Sequence, residues 1–243
     1  MKGVILAGGT AMRLRPLTLV TNKHLLPIYN KPMIFYPIET LKDAGIKDIL
    51  VITGKEHAGA VFSLLGSGKE MGVNFTFKVQ DEPSGIPSAI GIAEDFVGGD
   101  KFVAINGDNI LTHPITRFVK EFEQGSEDAR ILLYKGTPEQ AMKSGVAVLN
   151  GDRVVQLIEK PKSPPSTMIS IGVNMYSPEA FGAIKQLKPS PRGETEITEL
   201  NGYFLRKGTL KASVIDGHWL DAGTIEELME ANIKLKELKN SGK

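Results

Sequence analysis

Short apolar runs alternate with longer amphipathic stretches over the first hundred residues. The apolar or alternating runs predict strands at 3–6, 46–53, 72–80 and 101–109, the last of which ends in a polar turn. The stretches between them predict helices at 31–45, 58–66 and 87–96, the last with Pro87 in its first turn. Regular alternation of strand and helix indicates an α/β protein with a parallel sheet and helices on both faces.

The second half of the chain has a different pattern, richer in strands. Apolar alternation predicts strands at 130–136, 145–161, 168–177 and 210–216, and helical periodicity appears at 194–208 and 225–240. Asn150-Gly151 is a strong signal for a two-residue hairpin turn within the second of these strands. No repeat or low-complexity linker divides the sequence, so we expect one domain spanning 1–243.

Polar, glycine-rich segments follow three of the predicted strands. They read "AGG" after the first strand, "VQDEP" at the end of the third and "NGDN" at the end of the fourth. Ligands of open α/β sheets bind beyond the carboxyl ends of the strands. These three segments therefore mark the expected binding edge.

Composition excludes several classes of protein. The 243 residues include 29 Lys and Arg against 28 Asp and Glu, a formal net charge of +1, which offers no field for nonspecific binding to nucleic acid or an anionic membrane. Cysteine is absent, which excludes disulfides, zinc thiolates and cysteine nucleophiles. We find neither a signal-peptide pattern nor about 18 consecutive apolar residues, and so expect a cytoplasmic protein.

Two apparent motifs carry little weight. The segment "GSGKE" at 66–70 resembles part of a P-loop, but Glu70 stands where Ser or Thr would hold magnesium, so a plain turn is the better interpretation. The four histidines have no metal-ligand spacing and are expected to be surface or capping residues: His24, His57, His113 and His218.

The segment "ILAGGTAMRLRPLT" at 5–18 is the first real candidate. Gly8 and Gly9 would let backbone N–H groups approach an anion, and Arg13 would add a bidentate phosphate donor. By itself the segment fits a tight turn with a surface arginine equally well.

Charged residues elsewhere favour the phosphate loop. Each alone could be a solvated side chain, a turn former or a helix cap, but together they suit anionic substrates and one divalent cation: Lys23, Asp108, Glu159, Lys160, Arg192 and Asp221. No Ser-His-Asp arrangement is evident. This set favours phosphoryl or nucleotidyl transfer, in which catalysis consists of positioning and charge neutralisation.

Seven motifs in order give the sequence a family resemblance. They are "LAGGTAMRLRPLT", "NKHLLPIYNKPMIFYPIETL", "VQDEPSGI", "GDNI", "EKP", "LKPSPRGETEITELN" and "WLDAGT". Together they resemble the sugar-1-phosphate nucleotidyltransferases over essentially the whole chain. The resemblance implies a Rossmann-like, mixed but mostly parallel sheet flanked by helices, with a small β-rich sugar-binding lobe. It also implies a mainly nucleotide-binding half, 1–112, and a mainly sugar-binding half, 113–243.

The resemblance also implies roles for individual residues. Joining a sugar 1-phosphate, such as glucose 1-phosphate, to dTTP or UTP would give a nucleotide-sugar and pyrophosphate by in-line attack with Mg²⁺. The catalytic cations would be Arg13, Lys23, Lys160 and Arg192. The nucleotide would contact Leu6, Gly8, Gly9, Arg13, Gln80 and Gly85. The sugar would contact Asn106, Gly145, Glu159, Lys160 and Gly172, and Mg²⁺ would be held by Asp108 and Asp221.

Several positions depart from the family pattern. Family members usually have glycine at position 11 and Thr or Ser at 12, and other departures fall in the base loop and the sugar pocket: Ala11, Met12, Pro87, Ser88, Asn106, Ser144 and Ile171. An alanine that needs a positive φ costs roughly 1 kcal/mol. We expect altered sugar or nucleotide preference. The alternatives are a member that binds nucleotide without turnover and, less favoured, an unrelated interaction protein. The choice between dTTP and UTP, the sugar and the oligomeric state, commonly dimeric or tetrameric in the family, stay open.

Overall fold

The structure, a computed structural model, describes residues 1–9, 11–151, 153–191 and 193–240. Its strands are β1 (Lys2–Ala7), β2 (Pro27–Ile28), β3 (Lys31–Pro32), β4 (Asp48–Gly54), β5 (Asn74–Gln80), β6 (Phe102–Asn106), β7 (Ile110–Leu111), β8 (Ala129–Lys135), β9 (Gly145–Asn150), β10 (Arg153–Glu159), β11 (Met168–Tyr176), β12 (Leu210–Val214) and β13 (Trp219–Leu220). Its α-helices are α1 (Phe35–Asp43), α2 (Ala58–Leu65), α3 (Ile86–Gly91), α4 (Glu94–Val97), α5 (Thr116–Gln124), α6 (Pro138–Lys143), α7 (Glu179–Ile184), α8 (Ile197–Lys207) and α9 (Ile225–Asn240). Short 3₁₀ turns lie at Met12–Leu14, Leu17–Leu19, Lys23–Leu25, Lys55–His57 and Lys69–Met71.

One mixed sheet of nine strands forms the centre of the molecule. Its path runs β10-β9-β11-β6-β1-β4-β5, with β8 paired to β11 and β12 paired to β8. The four first-half strands of this sheet, β1, β4, β5 and β6, are mutually parallel, and β11 runs antiparallel to β6. This arrangement confirms the predicted α/β fold class, with a parallel first half and an antiparallel, β-rich second half.

Helices cover both faces of the sheet, as the sequence pattern predicts. Ile5 and Val51 point to one face and pack with residues of α1, α2 and α5. Val4 and Leu50 point to the other and pack with residues of α3, α4, α7 and α8. All four side chains are fully buried, so alternate residues of each central strand enter opposite halves of the core.

Strand β11 connects the two halves of the molecule. Its residues from Val173 onward pair with β6, whereas Met168 and Ile169 pair with β9. Between these segments the pairing with β8 shifts register, and Gly172 there has φ +67°. Because Val173 pairs with Ile105, Gly172 lies opposite the last residue of β6.

A small antiparallel ladder joins the segment before α9 to the segment that follows β6. Trp219 pairs with Leu111 and Leu220 with Ile110, which forms the β7–β13 sheet. The following helix, α9, packs through Ala231 on a separate apolar cluster that includes Ile28. Among the described residues, no helix combines the length and apolarity needed to cross a membrane.

Three predicted helix boundaries are wrong. The helix predicted at 31–45 begins at Phe35, because Lys31–Pro32 pair with β2 instead. The helix predicted at 194–208 begins at Ile197, because Thr195 forms an isolated parallel bridge with Gly85. The helix predicted at 87–96 is two short helices, α3 and α4. The "GSGKE" segment is a turn, as predicted, with positive φ at Gly66 and Gly68.

Candidate active site

The loop after β1 is shaped by close contacts that only glycine permits. A Cβ on Gly8 would lie 2.8 Å from Oε1 of Gln80, so the Gln80 side chain rests against bare backbone. Gly9 has open space around it. Gln80 ends β5 and is buried, which fixes its amide beside the loop. The loop and the end of β5 thus form one wall.

Ala11, which stands where the family usually has glycine, adopts a left-handed backbone conformation. Its φ and ψ are 48° and 41°, and its carbonyl accepts hydrogen bonds from the Leu14 N–H at 3.0 Å and from the Thr18 hydroxyl at 3.0 Å. This conformation costs an L-residue about 1–2 kcal/mol. Local hydrogen bonds therefore hold a strained turn that projects Arg13 outward, where it is exposed.

The loop at 83–88 is tied to the segment before α8. The Thr195 N–H and hydroxyl both donate to the Ser84 carbonyl at 3.0 Å. A Cβ on Gly85, where φ is +104°, would come within 2.7 Å of the Thr195 nitrogen and closer still to its carbonyl oxygen. Glycine is therefore required at this crossing for packing reasons alone.

Lys23 and Asp108 form an ion pair at the centre of the site. Lys23 Nζ donates to Oδ2 of Asp108, and their side chains are only 15% and 20% exposed. Burial by itself raises the pKa of Asp108, but the charge of Lys23 and its hydrogen bond outweigh burial and lower that pKa to about 2. Asp108 is therefore a carboxylate at every physiological pH.

His24 is buried directly behind this ion pair. Its ring Nδ1 lies 2.6 Å from the side-chain oxygen of Asn22, which can only accept, so Nδ1 carries the proton. Burial, with a further contribution from Lys23, lowers the pKa of His24 to about 3 and keeps the ring neutral. The expectation that His24 is a surface or capping residue is wrong, because its ring packs against Gly107 in the turn after β6.

Asp221 is brought to Asp108 by the β7–β13 ladder. Leu220 pairs with Ile110, two residues beyond Asp108, and the Ala222 N–H donates to Oδ1 of Asp221 at 2.8 Å. Burial is the largest cause that raises the pKa of Asp221 to about 6, and repulsion from Asp108 and Glu227 adds to it. The two predicted metal ligands are therefore close enough to interact electrostatically.

The predicted sugar residues lie around the joint between β6, β9 and β11. The Asn106 amide packs so closely on Gly172 that a Cβ there would be 2.9 Å from Cγ of Asn106. Gly145 and Glu159 are paired across β9 and β10, and a Cβ on Gly145 would be 3.4 Å from Oε2 of Glu159. Lys160 follows with φ 43°, its Nζ 3.5 Å from Glu159.

Two further residues of the predicted sugar pocket have different environments. Ser144 accepts a hydrogen bond from the Lys160 N–H at 3.0 Å through its carbonyl and lines a cavity. Ile171 is 1% exposed in the main core, so the expectation that it lines the sugar pocket is wrong. Arg192 lies outside the described residues.

Most of the predicted site residues line one of three cavities. A central cavity of about 280 Å³ is lined by Leu6, Gly8, Gly9, Lys23, Gln80, Gly85, Asn106 and Asp108, among others. A larger α9 cavity, of about 900 Å³, is lined by Arg13, Ser144, Lys160, Trp219, Asp221 and Glu227, among others. A third, of about 780 Å³ beside α8, includes Glu159 and Lys160. Gly145 and Gly172 are not among the lining residues, but they contact Glu159 and Asn106, which are.

The two carboxylates alone supply only some of the ligands that a divalent cation needs. Asp108 and Asp221 are oxygen donors of the kind Mg²⁺ prefers, and a cation between them would relieve the repulsion that raises the pKa of Asp221. No group of three or more His, Cys, Asp or Glu that could hold a metal exists in the part of the chain that the structure describes. The remaining ligands would therefore have to be phosphate oxygens and water.

Sequence reasoning missed a polar cluster beside Asn106. The Trp219 indole donates to Oδ1 of Asn109 at 2.9 Å, and the Asn109 amide donates to the Ile171 carbonyl. These bonds fasten β13 to β6 and β11. The "GDN" and "HWLD" motifs contained the signal, since each places a polar or aromatic residue next to a predicted ligand.

Fold and site together define a class of enzyme. The carboxyl ends of the parallel strands carry a glycine loop, a buried lysine–carboxylate pair and a second carboxylate. This combination suits phosphoryl or nucleotidyl transfer. The model of the "Nucleotidyl transferase" family matches residues 2–237. The chain belongs to this family, which confirms the resemblance and the predicted enzyme class.

Individual relatives match over almost the whole chain. It is 43% identical over 247 residues to a low-salt glycan biosynthesis nucleotidyltransferase of Haloferax volcanii, covering 100% of this chain and 69% of that protein. It is 40% identical over 245 residues to a glucose-1-phosphate thymidylyltransferase of Neisseria meningitidis, covering 99% of this chain and 84% of that one.

Solved structures agree with the fold. A protein from Bacillus anthracis assigned as a glucose-1-phosphate thymidylyltransferase, crystallised with sucrose, superposes with a TM-score of 0.92 at 47% identity, over 96% of this chain and 94% of that one. A UDP-glucose pyrophosphorylase in complex with UDP-glucose superposes with a TM-score of 0.87 at 22% identity, over 97% and 98% of the two chains. The latter likeness concerns the fold alone.

Proposed function

We propose that the protein joins glucose 1-phosphate to dTTP, releasing pyrophosphate and forming a nucleotide-sugar. The observation that carries this proposal is the convergence of the Lys23–Asp108 pair with Asp221 beside the glycine loop. The thymidylyltransferase relatives at about 40% identity support dTTP and glucose 1-phosphate as the substrates to test first. UTP is the alternative triphosphate.

The nucleotide would occupy the central cavity and the adjoining loop. The Gln80 amide, held against Gly8, would hydrogen-bond the edge of the pyrimidine, with Leu6 and Gly85 against the base and ribose. Gly8 and Gly9 would present backbone N–H groups to the phosphates. Arg13 and Lys23 would supply the opposing positive charge.

The sugar 1-phosphate would lie between β6 and the β9–β10 hairpin. Asn106 and Glu159 carry amide and carboxylate groups suited to sugar hydroxyls, and they pack directly on Gly172 and Gly145. Lys160 would neutralise the sugar phosphate. Arg192 is assigned the same role from the motif alone.

The reaction needs no protein nucleophile and no general base. The sugar phosphate oxygen is already anionic, so it can attack the α-phosphorus directly. A P–O bond forms there as the bond to the β-phosphate oxygen breaks, and pyrophosphate leaves with that electron pair. The residues would hold the two phosphates in line and balance the charge that builds on the leaving group.

Mg²⁺ is proposed as the cofactor, held by Asp108 and Asp221. When bound, it would neutralise charge on the phosphate oxygens. Lys23 would share Asp108 with the metal, which keeps the ammonium close to the triphosphate.

Pyrophosphate release tests the proposal directly. The protein is assayed with dTTP, UTP, ATP, CTP and GTP, each with a panel of sugar 1-phosphates and Mg²⁺. We expect turnover to be fastest with dTTP and glucose 1-phosphate. Turnover only with other sugars would support altered specificity, and nucleotide binding without turnover on any pair would overturn the enzyme proposal in favour of a binding protein.

Asp108→Asn should abolish most turnover and leave the fold intact. The amide keeps the shape but loses the charge that pairs with Lys23 and suits a cation, so we expect kcat to fall about a hundredfold or more. The measurement is pyrophosphate release across Mg²⁺ concentrations. Asp100→Asn, at an exposed position before β6, is the matched control. Wild-type turnover in Asp108→Asn would contradict the metal assignment.

A further inference from the structure

Glu227 presents a buried carboxylate oxygen with no hydrogen-bond partner among the described residues. The residue lies in the first turn of α9, where its backbone N–H donates to the Thr224 hydroxyl at 3.2 Å. Its carboxylate lines the α9 cavity together with Arg13 and Asp221. Leaving a carboxylate oxygen buried without a hydrogen bond costs free energy. Such an oxygen in a binding site calls for an explanation, and a donor that moves onto it when substrate binds would provide one.

Three charged side chains meet over the backbone of Gly223. A Cβ there would lie 3.1 Å from Nη2 of Arg13, 3.3 Å from Oε2 of Glu227 and 3.5 Å from Oδ1 of Asp221. Arg13 is therefore the cation that stands beside the unsatisfied oxygen. Its guanidinium makes no hydrogen bond and no ion pair with any residue that the structure describes, although it lies within one side-chain movement of Glu227.

The alternative role for Glu227 is a third metal ligand. The described residues hold no cluster of three carboxylate or imidazole groups that could bind a metal, so Glu227 does not complete a preformed site with Asp108 and Asp221. The adjacent guanidinium, with five N–H donors and a fixed charge, is the better match for a single carboxylate oxygen.

We propose that Glu227 is a positioning residue that holds the Arg13 guanidinium on the triphosphate during the reaction. One edge of the planar guanidinium would donate to Glu227 while the other faces the phosphates. This inference rests on the proposed function, since that function places Arg13 on the triphosphate.

Arg13 and Glu227 differ in how firmly the structure holds their side chains. Arg13 lies in a short turn held by backbone hydrogen bonds to Ala11 and by the buried Leu14, but its own side chain is exposed. Glu227 is fixed by the capped first turn of a 16-residue helix. Pairing with a carboxylate on that helix would hold the exposed guanidinium in one position on the triphosphate, which favours tighter binding.

The test compares Glu227→Gln with Glu226→Gln, an exposed neighbour in the same helix turn. We expect Glu227→Gln to raise the KM for dTTP about fivefold, with the KM for glucose 1-phosphate and the melting temperature not impaired. Glu226→Gln should match the wild type. In an Arg13→Ala background, Glu227→Gln should have no further effect on the KM for dTTP, because the group it positions is gone. Equal effects of Glu227→Gln in both backgrounds would overturn the proposal.

A second readout does not depend on turnover. Phenylglyoxal modifies arginine, and a neighbouring carboxylate slows that reaction by stabilising the charged guanidinium. Modification of Arg13, followed by peptide mass spectrometry with saturating dTTP and no sugar phosphate, should be faster in Glu227→Gln than in the wild type or Glu226→Gln. Equal rates would overturn the pairing. A protein with no turnover but faster Arg13 modification would instead sink the proposed function alone.

Discussion

Asn106 ends β6 with its side chain against Gly172, at the point where β11 leaves β6 for β9. Its amide forms no hydrogen bond with the part of the chain that the structure describes, and it lines the central cavity. Position 106 is one of the departures from the family pattern, and we propose that the substrate contacts this amide. It is the departure best placed to change sugar preference.

Asn106→Leu should relax discrimination between sugars. A site that hydrogen-bonds a hydroxyl rejects analogues that lack it, and leucine cannot do so. We expect the wild type to discriminate by about tenfold or more against at least one monodeoxy analogue of glucose 1-phosphate, and the variant to lose that preference. The measurement is kcat/KM over the analogue series.

The matched control is Asn240→Leu, at the exposed last position of α9. It should keep the wild-type order of substrates. An unchanged substrate preference in Asn106→Leu would show that the amide does not hydrogen-bond the sugar.

Individual conformations differed in how far the sequence could foretell them. From the sequence, a positive φ at Ala11 was only a condition, and the structure shows that this condition holds. The burial of His24 did not follow, because a histidine flanked by Lys23 and leucines gives no local sign of the Asn22 oxygen and Gly107 turn that enclose it. Packing partners distant in sequence decide such cases.

The loop at 83–88 and the start of α8 act as one unit. Two hydrogen bonds from Thr195 to Ser84 and a bridge to Gly85 join them, and the Ser88 hydroxyl lies 3.0 Å from that of Thr195. One side of this unit faces the proposed base site and the other leads to Arg192. A nucleotide seated against Gly85 would therefore also act on Thr195 and the start of α8.

Gly85→Ala should break this unit. The methyl group would overlap the Thr195 backbone at a φ of +104°, so we expect a loss of about 2–4 kcal/mol in the free energy of unfolding and weaker nucleotide binding. Denaturant unfolding and dTTP titration measure the two effects. Gly99→Ala, where nothing lies within 4 Å of the added methyl group, is the control and should be near neutral. Equal stability of the two variants would contradict the packing argument.

Elements were predictable where the pattern was local. The strand–helix alternation of the first half and the hairpin at Asn150-Gly151 are both present. The starts of α1 and α8 were not, because Lys31–Pro32 form a short local ladder with β2 and Thr195 forms a bridge with the distant Gly85. Helical periodicity continues through these residues, but they take part in strand pairing instead.

The pKa shifts of Asp108 and Asp221 make the stability of the whole molecule depend on pH. In the folded state the pKa of Asp221 is raised to about 6 from its ordinary 3.8, so between these values the folded protein binds a proton that the unfolded chain releases. Stability therefore falls as pH rises through this window, and the penalty is full above pH 6. The Asp108 shift acts in the opposite sense and only below its ordinary pKa of 3.8.

Asp221→Asn should stabilise the metal-free protein at neutral pH. Removing the buried charge should raise the free energy of unfolding at pH 7.5 by up to about 3 kcal/mol, the equivalent of the pKa shift, and flatten its pH dependence between 4 and 6. Urea unfolding at several pH values in the presence of a chelator measures this. Turnover should be lost.

The control is Asp216→Asn, whose carboxylate is 75% exposed and lies 3.6 Å from Arg117. It should leave the slope between pH 4 and 6 unchanged. A variant Asp221→Asn that is less stable than the wild type at pH 7.5 would contradict the buried repulsion.

Assembly of the site across the molecule was predictable only through the family resemblance. The hydrophobic pattern alone places the glycine loop, Gln80 and Asp108 at the carboxyl ends of predicted parallel strands, and therefore at one edge of the sheet. Nothing local placed Asp221 beside them, because its position depends on a two-residue ladder with β7. The roles of the individual residues remain predictions.

That ladder also bears on the order in which the molecule folds. The Trp219–Asn109 hydrogen bond spans 110 positions of the chain, and contacts of such long range close late because they restrict a large loop. We therefore expect the central sheet to form before β13 joins β7. Repulsion between Asp108 and Asp221 would then arise only after the core is buried, so the acidic pair would slow docking of the final helix without hindering the nucleation of the fold.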